Sequence, residues 1–346
     1  MNIGYLVTKS EVGGAQKWVL DQLDITNQFS VNYLITSKPG WLTRKVNEAT
    51  TVVTNDGILS LFSIKYLVWL VRYVRSNNID LLVASSANAG IYARLAGVLC
   101  RCKVIYVSHG WSAVYNGGRV AWFYIAVERF LSKISSSVLC VSVSDYNTAR
   151  DIIKIRDEKL KTIVNKVLSS GKKRQSIGDA DKPLNVLMVA RFSHPKRQDL
   201  AIRSFQGLSD NLFLVGDGPE FDYCLNLTGG AFNIQLLGEI EGFSSFHEYD
   251  VFMLLSDSEG LPISALEAMD AGLPLLLSRV GGCVNIVEGN GVLVENSVES
   301  VRLAVNDIRN NYQAYQDRSN VLFDEKYNLS LLASEYMDYY RVVKDN

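Results

Sequence analysis

The sequence predicts an α/β fold built as two doubly wound domains. The chain has 346 residues, more than one ordinary domain needs. Short apolar runs alternate along it with stretches of helical apolar spacing, as in parallel sheets joined by crossover helices. Polar, glycine-containing loops stand between several runs and the helices that follow, the place where open parallel sheets bind ligands.

Composition narrows the class. Hydrophobic residues make up 48% of the chain, enough for real cores. No uncharged apolar run is long enough to span a bilayer. Met1-Asn2-Ile3-Gly4-Tyr5-Leu6-Val7 lacks the basic flank of a signal peptide and reads as a first buried strand. The five cysteines are scattered, and Cys100 and Cys102 have C-x-C spacing without a second pair, so no zinc site is indicated. A reduced cytoplasmic protein is expected, with peripheral contact to the inner membrane face as an option.

The net charge of −1 conceals an asymmetry. Residues 1–180 hold 23 Lys+Arg against 12 Asp+Glu, and residues 181–346 hold 12 against 24. A basic first half suits an anionic partner such as a membrane surface, a lipid-phosphate acceptor or a polyanion. Complementary charge between the halves is the alternative. No nucleic-acid partner is expected.

After the first strand comes Val12-Gly13-Gly14-Ala15-Gln16, with a helix beginning near Ala15 on a stripe of Trp18, Val19 and Leu23. The paired glycines let backbone approach a ligand, but the dinucleotide pattern G-x-G-x-x-G is absent. Strands are expected at 31–36, 51–53 and 79–84, and a helix over 58–75 that packs on a sheet or faces a membrane. A further strand, 103–107, ends in Ser108-His109-Gly110-Trp111, where His109 stands ready to bond a hydroxyl or phosphate. Residues 119–133 mix Trp122, Phe123, Tyr124 and Phe130 with Arg129 and Lys133, and Trp111 and Tyr115 lie near them. They are the stronger candidate for a lipid-facing surface. Strand 138–142 is expected to close this half, with a helix capped by Ser144-Asp145 after it.

Polar, charged and glycine-containing residues over 166–182 mark a linker. It separates a first domain, residues 1–165, from a second, residues 183–325, and residues 326–346 form a C-terminal helix. Asp179-Ala180-Asp181 has a D-x-D pattern but sits in the linker and not at a strand end, so no metal site is assigned to it. The second domain opens with strand 184–190 and then Arg191-Phe192-Ser193-His194-Pro195-Lys196-Arg197. Strand 213–215 leads into Gly216-Asp217-Gly218-Pro219, a strand and loop follow over 236–240, and strands at 275–277 and 291–294 come after.

The most informative stretch is 251–272. The apolar run Val251-Phe252-Met253-Leu254-Leu255 reads as a buried strand, and Pro262 and Gly272 bound the helix after it. Strand, glycine loop and helix N-terminus make an anion site. Glu259 and Glu267 bracket the first turn and are suited to accept hydrogen bonds from hydroxyls. Phosphate donors between two hydroxyl acceptors fit a nucleotide sugar.

Glu259 and Glu267 resemble the Glu-x7-Glu motif of the retaining glycosyltransferases of family four, which have the GT-B fold of two Rossmann-like domains facing a central cleft. The resemblance spans nearly the whole chain and is most specific from Arg191 to Gly282. It implies that Glu267 holds the ribose and Glu259 the transferred sugar, with the backbone of Gly260, Leu261 and Pro262 against sugar and phosphates. Gly13 and Gly14 match the loop that faces the donor phosphates and the acceptor, and His109-Gly110 matches a His-Gly pair beside the sugar. Arg191 and Lys196 match an Arg…Lys pair on the diphosphate. They suit the chemistry, since two fixed cations stabilise the leaving group's growing charge without a metal. Gly216 belongs to a Gly-Asp-Gly-Pro turn, the base is implied near 238–242, and the C-terminal helix is implied to cross back onto the first domain.

The sequence departs from the family at Asn165-Lys166 for Asn-Gly, at Lys196-Arg197 for Lys-Gly, and at Asn285 for Glu. Glu128-Arg129 matches a family position without a role. The implied activity is a retaining, metal-independent transfer of a hexose or N-acetylhexosamine from a nucleotide-diphospho-sugar, a UDP-sugar foremost. Its acceptor is a glycan or lipid-linked hydroxyl in bacterial surface polysaccharide synthesis. The nucleotide sugar is a co-substrate, so no cofactor is expected. A nucleotide-sugar epimerase of the same fold and a non-catalytic nucleotide-sugar-binding scaffold subunit are the alternatives.

Overall fold

The computed structural model describes residues 1–60, 62–111, 118, 121–175 and 182–346. Tyr115, Arg119 and Asp179-Ala180-Asp181 lie outside the described residues. The chain forms two compact units, Met1–Asn165 with Ala333–Asn346, and Lys166–Leu332.

The first unit carries a parallel sheet of strands β1 (Asn2–Leu6), β2 (Val31–Thr36), β3 (Thr51–Thr54), β4 (Leu81–Ala84), β5 (Lys103–Ser108), β6 (Ser137–Cys140) and β7 (Leu160–Thr162), in the order β3-β2-β1-β4-β5-β6-β7. The order reverses between β1 and β4, so the loops leaving these two strands diverge and open a crevice at their carboxyl ends. The strands β4 and β6 are buried throughout, which is why Leu81–Ala84 and residues 138–140 read as apolar runs.

β7 corrects the expectation that strand 138–142 closes this half. It is three residues long and only partly buried at the sheet edge, so it leaves no apolar run to detect. The stretch expected as one helix over 58–75 is two elements. A 3-10 turn, Asp56–Leu59, precedes a helix, Ile64–Ser76, that starts where the Ser63 hydroxyl accepts the Tyr66 N–H at 3.3 Å. Tyr66, Leu70 and Val74 of that helix are buried in the core.

Glu128 and Arg129 have structural partners. The Arg94 guanidinium is fully buried, lies 3.9 Å from the Tyr106 ring centroid and donates to Glu128 at 2.9 Å. Arg129 Nε donates to the Ile153 carbonyl at 2.7 Å. The helix Ser334–Asp345 completes the unit: Tyr340 Oη donates to Gln22 Oε1 and Tyr339 Oη to Ser137 Oγ, both at 2.7 Å.

The second unit has a parallel sheet of β8 (Asn185–Val189), β9 (Asn211–Val215), β10 (Ile234–Gly238), β11 (Val251–Leu254), β12 (Leu275–Ser278) and β13 (Gly291–Val294), in the order β10-β9-β8-β11-β12-β13. Its order reverses between β8 and β11. Both units are therefore doubly wound, as the sequence predicts.

The linker's basic residues belong to this unit. Arg174 pairs with the buried Asp250 at 2.6 Å, and Lys173 Nζ lies 3.9 Å from the buried Asp270. Counted by unit, the first holds 21 Lys+Arg against 14 Asp+Glu, a smaller excess than the division at residue 180 suggests.

Candidate active site

In the second unit the expected donor residues gather at the carboxyl ends of β8, β9 and β11. Val251, Phe252, Met253 and Leu254 bury β11 on both faces, and the chain then turns through residues 255–262 into the helix Ile263–Asp270. Pro262 is the N-cap, and its fixed φ of −70° and lack of an N–H suit the last residue before a helix. Gly272, at φ +75°, closes the helix with its N–H on the Met269 carbonyl, while Leu273 bonds the Ala268 carbonyl.

Glu259 sits just ahead of this helix, its side chain 8% exposed, and is ion-paired with Lys196 from the loop after β8. Glu267 is half-buried, one turn into the helix. Arg191 is exposed at the end of β8, and its carbonyl accepts from Gln198 Nε2 at 3.0 Å. Gly260 packs under the glycine pair after β12. A Cβ on Gly281 would lie 1.8 Å from the Glu259 oxygen, and one on Gly282 1.8 Å from the Gly260 oxygen. Side chains at these two positions would push the Glu259 loop off the site. Gly216, at φ +137°, brings the loop after β9 against β8, where a Cβ would lie 2.1 Å from the Ala190 oxygen.

The residues expected in the first unit gather at its own switch point. Gly13 caps the helix Gly14–Thr26 beyond β1, and His109 follows β5. The loops after β1 and β4 are tied by Thr8, whose N–H donates to Ser86 Oγ at 3.0 Å and whose hydroxyl bonds the same oxygen at 2.7 Å. His109 Nε2 and Ser85 Oγ are hydrogen bonded at 2.6 Å, and the Trp18 ring meets the imidazole edge-on at 5.4 Å. His109 is partly buried as a residue, and enclosure of its imidazole lowers the pKa to about 4, so the ring is neutral near pH 7. A neutral imidazole here can donate or accept one hydrogen bond toward a sugar, but it does not supply a cation.

Sequence reading missed the partners of these groups. Nothing in the spacing shows that Lys196 meets Glu259, 63 positions away, or that Ser85 and Trp18 flank His109. Among the described residues, no group of three or more His, Cys, Asp or Glu is arranged to hold a metal ion.

Two family descriptions match the chain: Glycosyl transferases group 1 over residues 157–320, and Glycosyl transferase 4-like domain over residues 43–166. The O-antigen biosynthesis glycosyltransferase WbnH of Escherichia coli is 41% identical over 92% of this chain and 93% of its own length. The chain belongs to the group 1 glycosyltransferases. The Escherichia coli UDP-Gal:alpha-D-GlcNAc-diphosphoundecaprenol alpha-1,3-galactosyltransferase is 24% identical over 86% of the chain and 82% of its own length. Among solved structures, Anabaena Alr3699/HepE in complex with UDP and glucose superposes with a TM-score of 0.82 at 19% identity, over 98% of this chain and 99% of that one. This likeness places the glycosyltransferase in the GT-B fold class, with its two doubly wound Rossmann-like domains. Arg191, Lys196, Gly216, Glu259 and Glu267 fall within the group 1 match, and His109 falls within the 4-like match. Gly13 and Gly14 lie outside both.

Proposed function

We propose that this glycosyltransferase moves a hexose or N-acetylhexosamine, with retention, from a UDP-sugar to a hydroxyl of a glycan or lipid-linked glycan in bacterial surface polysaccharide synthesis. The observation that carries the proposal is the meeting of Lys196 and Glu259 ahead of the helix Ile263–Asp270, with Glu267 a turn beyond. A cation, a carboxylate and a helix N-terminus converge there, as a molecule with both phosphates and hydroxyls requires. The WbnH relative supports the polysaccharide setting, the galactosyltransferase supports a lipid-linked acceptor, and the UDP-bound fold relative supports the base.

In this reading Glu267 binds ribose hydroxyls, and Glu259 and His109 bind the sugar. The backbone of Gly260, Leu261 and Pro262 lies along sugar and phosphates, with Gly216, Gly13 and Gly14 at the margins. The bond between the anomeric carbon and the phosphate oxygen breaks, and the nucleoside diphosphate leaves with the electron pair. Arg191 and Lys196 stabilise its charge without a metal. The acceptor oxygen attacks from the face the diphosphate leaves, and its proton passes to a phosphate oxygen. Residues 1–165 with the C-terminal helix serve the acceptor, and residues 183–325 serve the donor.

The first test is a thermal-shift screen with UDP, GDP, ADP and their common sugars in EDTA. A ligand at a hundred times its Kd adds about 2.7 kcal/mol of stability. A shift with UDP that is lost in Glu267→Ala and Arg191→Ala supports the donor assignment. No shift with any nucleotide overturns it. Product NMR showing an inverted anomeric centre overturns retention, and conversion of a UDP-sugar without acceptor favours an epimerase.

An anionic membrane surface is part of the same proposal. Trp122, Phe123 and Phe130 are exposed on the helix Ala121–Ile134 beside exposed Arg129 and Lys133. No helix among the described residues is long and apolar enough to cross a membrane. Flotation with phosphatidylglycerol vesicles but not with phosphatidylcholine vesicles, reduced in Trp122→Ser/Phe123→Ser, is the expected result. Equal behaviour with both lipids overturns it.

A further inference from the structure

The loops after β8 and β11 are joined by more than the Lys196–Glu259 pair. Lys196 and Ser256 form an isolated antiparallel bridge, the only antiparallel pairing among the described strands and bridges of this unit. The Arg197 N–H donates to the Leu255 carbonyl at 2.9 Å, and the Asp257 N–H donates to the Pro195 carbonyl at 2.8 Å. The flanking residues also meet through side chains. Arg197 grips Asp199 with Nε at 2.9 Å and Nη2 at 3.1 Å, which turns Nη1 toward Asp257 Oδ1 at 3.2 Å. Asp257 Oδ1 also accepts from Asn296 Nδ2 at 3.0 Å, and Asn296 Nδ2 donates to the Ser256 carbonyl at 2.9 Å. Ser278 Oγ, at the end of β12, donates to Asn296 Oδ1 and accepts the Ser256 N–H at 3.0 Å.

We infer that Arg197 is a positioning residue for donor binding: gripping Asp199 on its own helix and Asp257 on the facing loop, it sets the spacing at which Lys196 meets Glu259 and the donor diphosphate. The inference rests on the donor reading above. Arg197 is where the chain departs from the Lys-Gly of the family it resembles, and a glycine there would remove the Arg197–Asp257 contact, leaving the backbone bridge, the Ser256 Oγ bond to the Pro195 carbonyl at 3.1 Å and the Lys196–Glu259 pair. The Arg197 and Asp257 side chains are 31% and 40% exposed. Pairs so open add little to global stability. The planar fork, held at two points by Asp199, is instead a stiff spacer. What it stiffens is the backbone beneath Lys196, which fixes where the Lys196 ammonium stands relative to Glu259.

The test measures binding of UDP, GDP and ADP to the full chain by titration calorimetry, with melting temperature recorded in parallel. The variants are Arg197→Ala, Arg197→Lys, Asp257→Ala, Asp257→Asn and Arg197→Ala/Asp257→Ala. Arg197→Ala and Asp257→Ala are each expected to weaken nucleoside diphosphate binding about tenfold, with little change in melting temperature. The double variant should be no weaker than either single one, because both remove the same contact. Arg197→Lys should recover part of the loss, and Asp257→Asn, which keeps size, shape and an accepting oxygen but not the charge, should show a smaller loss than Asp257→Ala. A donor KM that rises more than kcat falls is the matching kinetic result. Unchanged affinity in Arg197→Ala, multiplicative losses in the double variant, or a fall in melting temperature without a change in affinity overturns the inference alone. Failure of the wild-type chain to bind any of the three nucleotides overturns the donor reading and this inference with it.

Discussion

The Lys196 ammonium and the Glu259 carboxylate are ion-paired at the carboxyl ends of β8 and β11, with the carboxylate 8% and the lysine 21% exposed. Each neutralises the other. In the proposed reading, a diphosphate takes over the lysine and sugar hydroxyls occupy the carboxylate, so the pair keeps both side chains near the rotamers that binding would use.

Removing one member of this pair exposes the other. Lys196→Ala leaves a nearly buried carboxylate and is expected to destabilise the protein by about 1–3 kcal/mol, between the values for surface and buried pairs. It should also lower kcat/KM for transfer by about a hundredfold or more, as loss of a leaving-group cation does. Glu259→Gln should keep most of the stability and lose sugar transfer. Urea unfolding alongside a coupled assay of nucleoside diphosphate release checks both. Transfer by Lys196→Ala at the wild-type rate would remove Lys196 from the mechanism.

His109 makes a contribution to stability with a defined pH sign. Its enclosure lowers the folded pKa to about 4 from an ordinary 6.5. Between those values the unfolded chain binds the extra proton, so the contribution is intact above pH 6.5 and is lost as pH falls toward 4, by about 1–3 kcal/mol in all. His109→Asn should abolish this slope. It should also leave the pH profile of kcat near neutrality unchanged in shape, because the imidazole is already neutral there.

Asp21 has the opposite slope. It is buried on the helix Gly14–Thr26, and burial outweighs the Lys17 ammonium at 2.9 Å to raise its pKa to about 6 from 3.8. The folded state holds the proton longer, so stability is full below pH 3.8 and falls as pH rises through 6. Asp21→Asn is expected to stabilise the protein by about 1–3 kcal/mol at pH 8 and to change little at pH 3.5. Around pH 4–6 the Asp21 and His109 slopes oppose each other, so each variant should reveal the slope the other residue hides. Melting curves from pH 3.5 to 8 decide both.

The buried Arg94 depends on Glu128. Glu128→Gln leaves a fully buried guanidinium without its counter-charge and is expected to cost about 3 kcal/mol, read as a lower urea midpoint with an unchanged slope. The donor binding proposed for the second unit should survive. A loss of nucleotide affinity without loss of stability would assign Glu128 to the site and not to the core.

Much of the fold was legible in the chain itself. β4, β6, β11 and β12 are buried along their whole length, so each is mostly apolar, and at Gly272 a φ of +75° favours glycine. β7 was not legible, because a three-residue edge strand needs no hydrophobic face. The break between Leu59 and Ile64 was hidden because apolar residues on both sides keep the helical spacing.

The positions of the candidate site's groups were legible for the same local reason. A strand end, a glycine and a helix start are encoded by neighbouring residues, so Arg191, Lys196, Glu259, Glu267 and His109 could be placed at the ends of strands. Which groups touch was decided only by tertiary structure. Parallel pairing of β8 with β11 brings Lys196 to Glu259 and Arg197 to Asp257, and the packing of β1, β4 and β5 brings Trp18 and Ser85 to His109. Local backbone preference is written in short stretches of sequence. Contacts between residues far apart in the chain, and the protonation states that follow from them, depend on strand order and burial, which no short stretch contains.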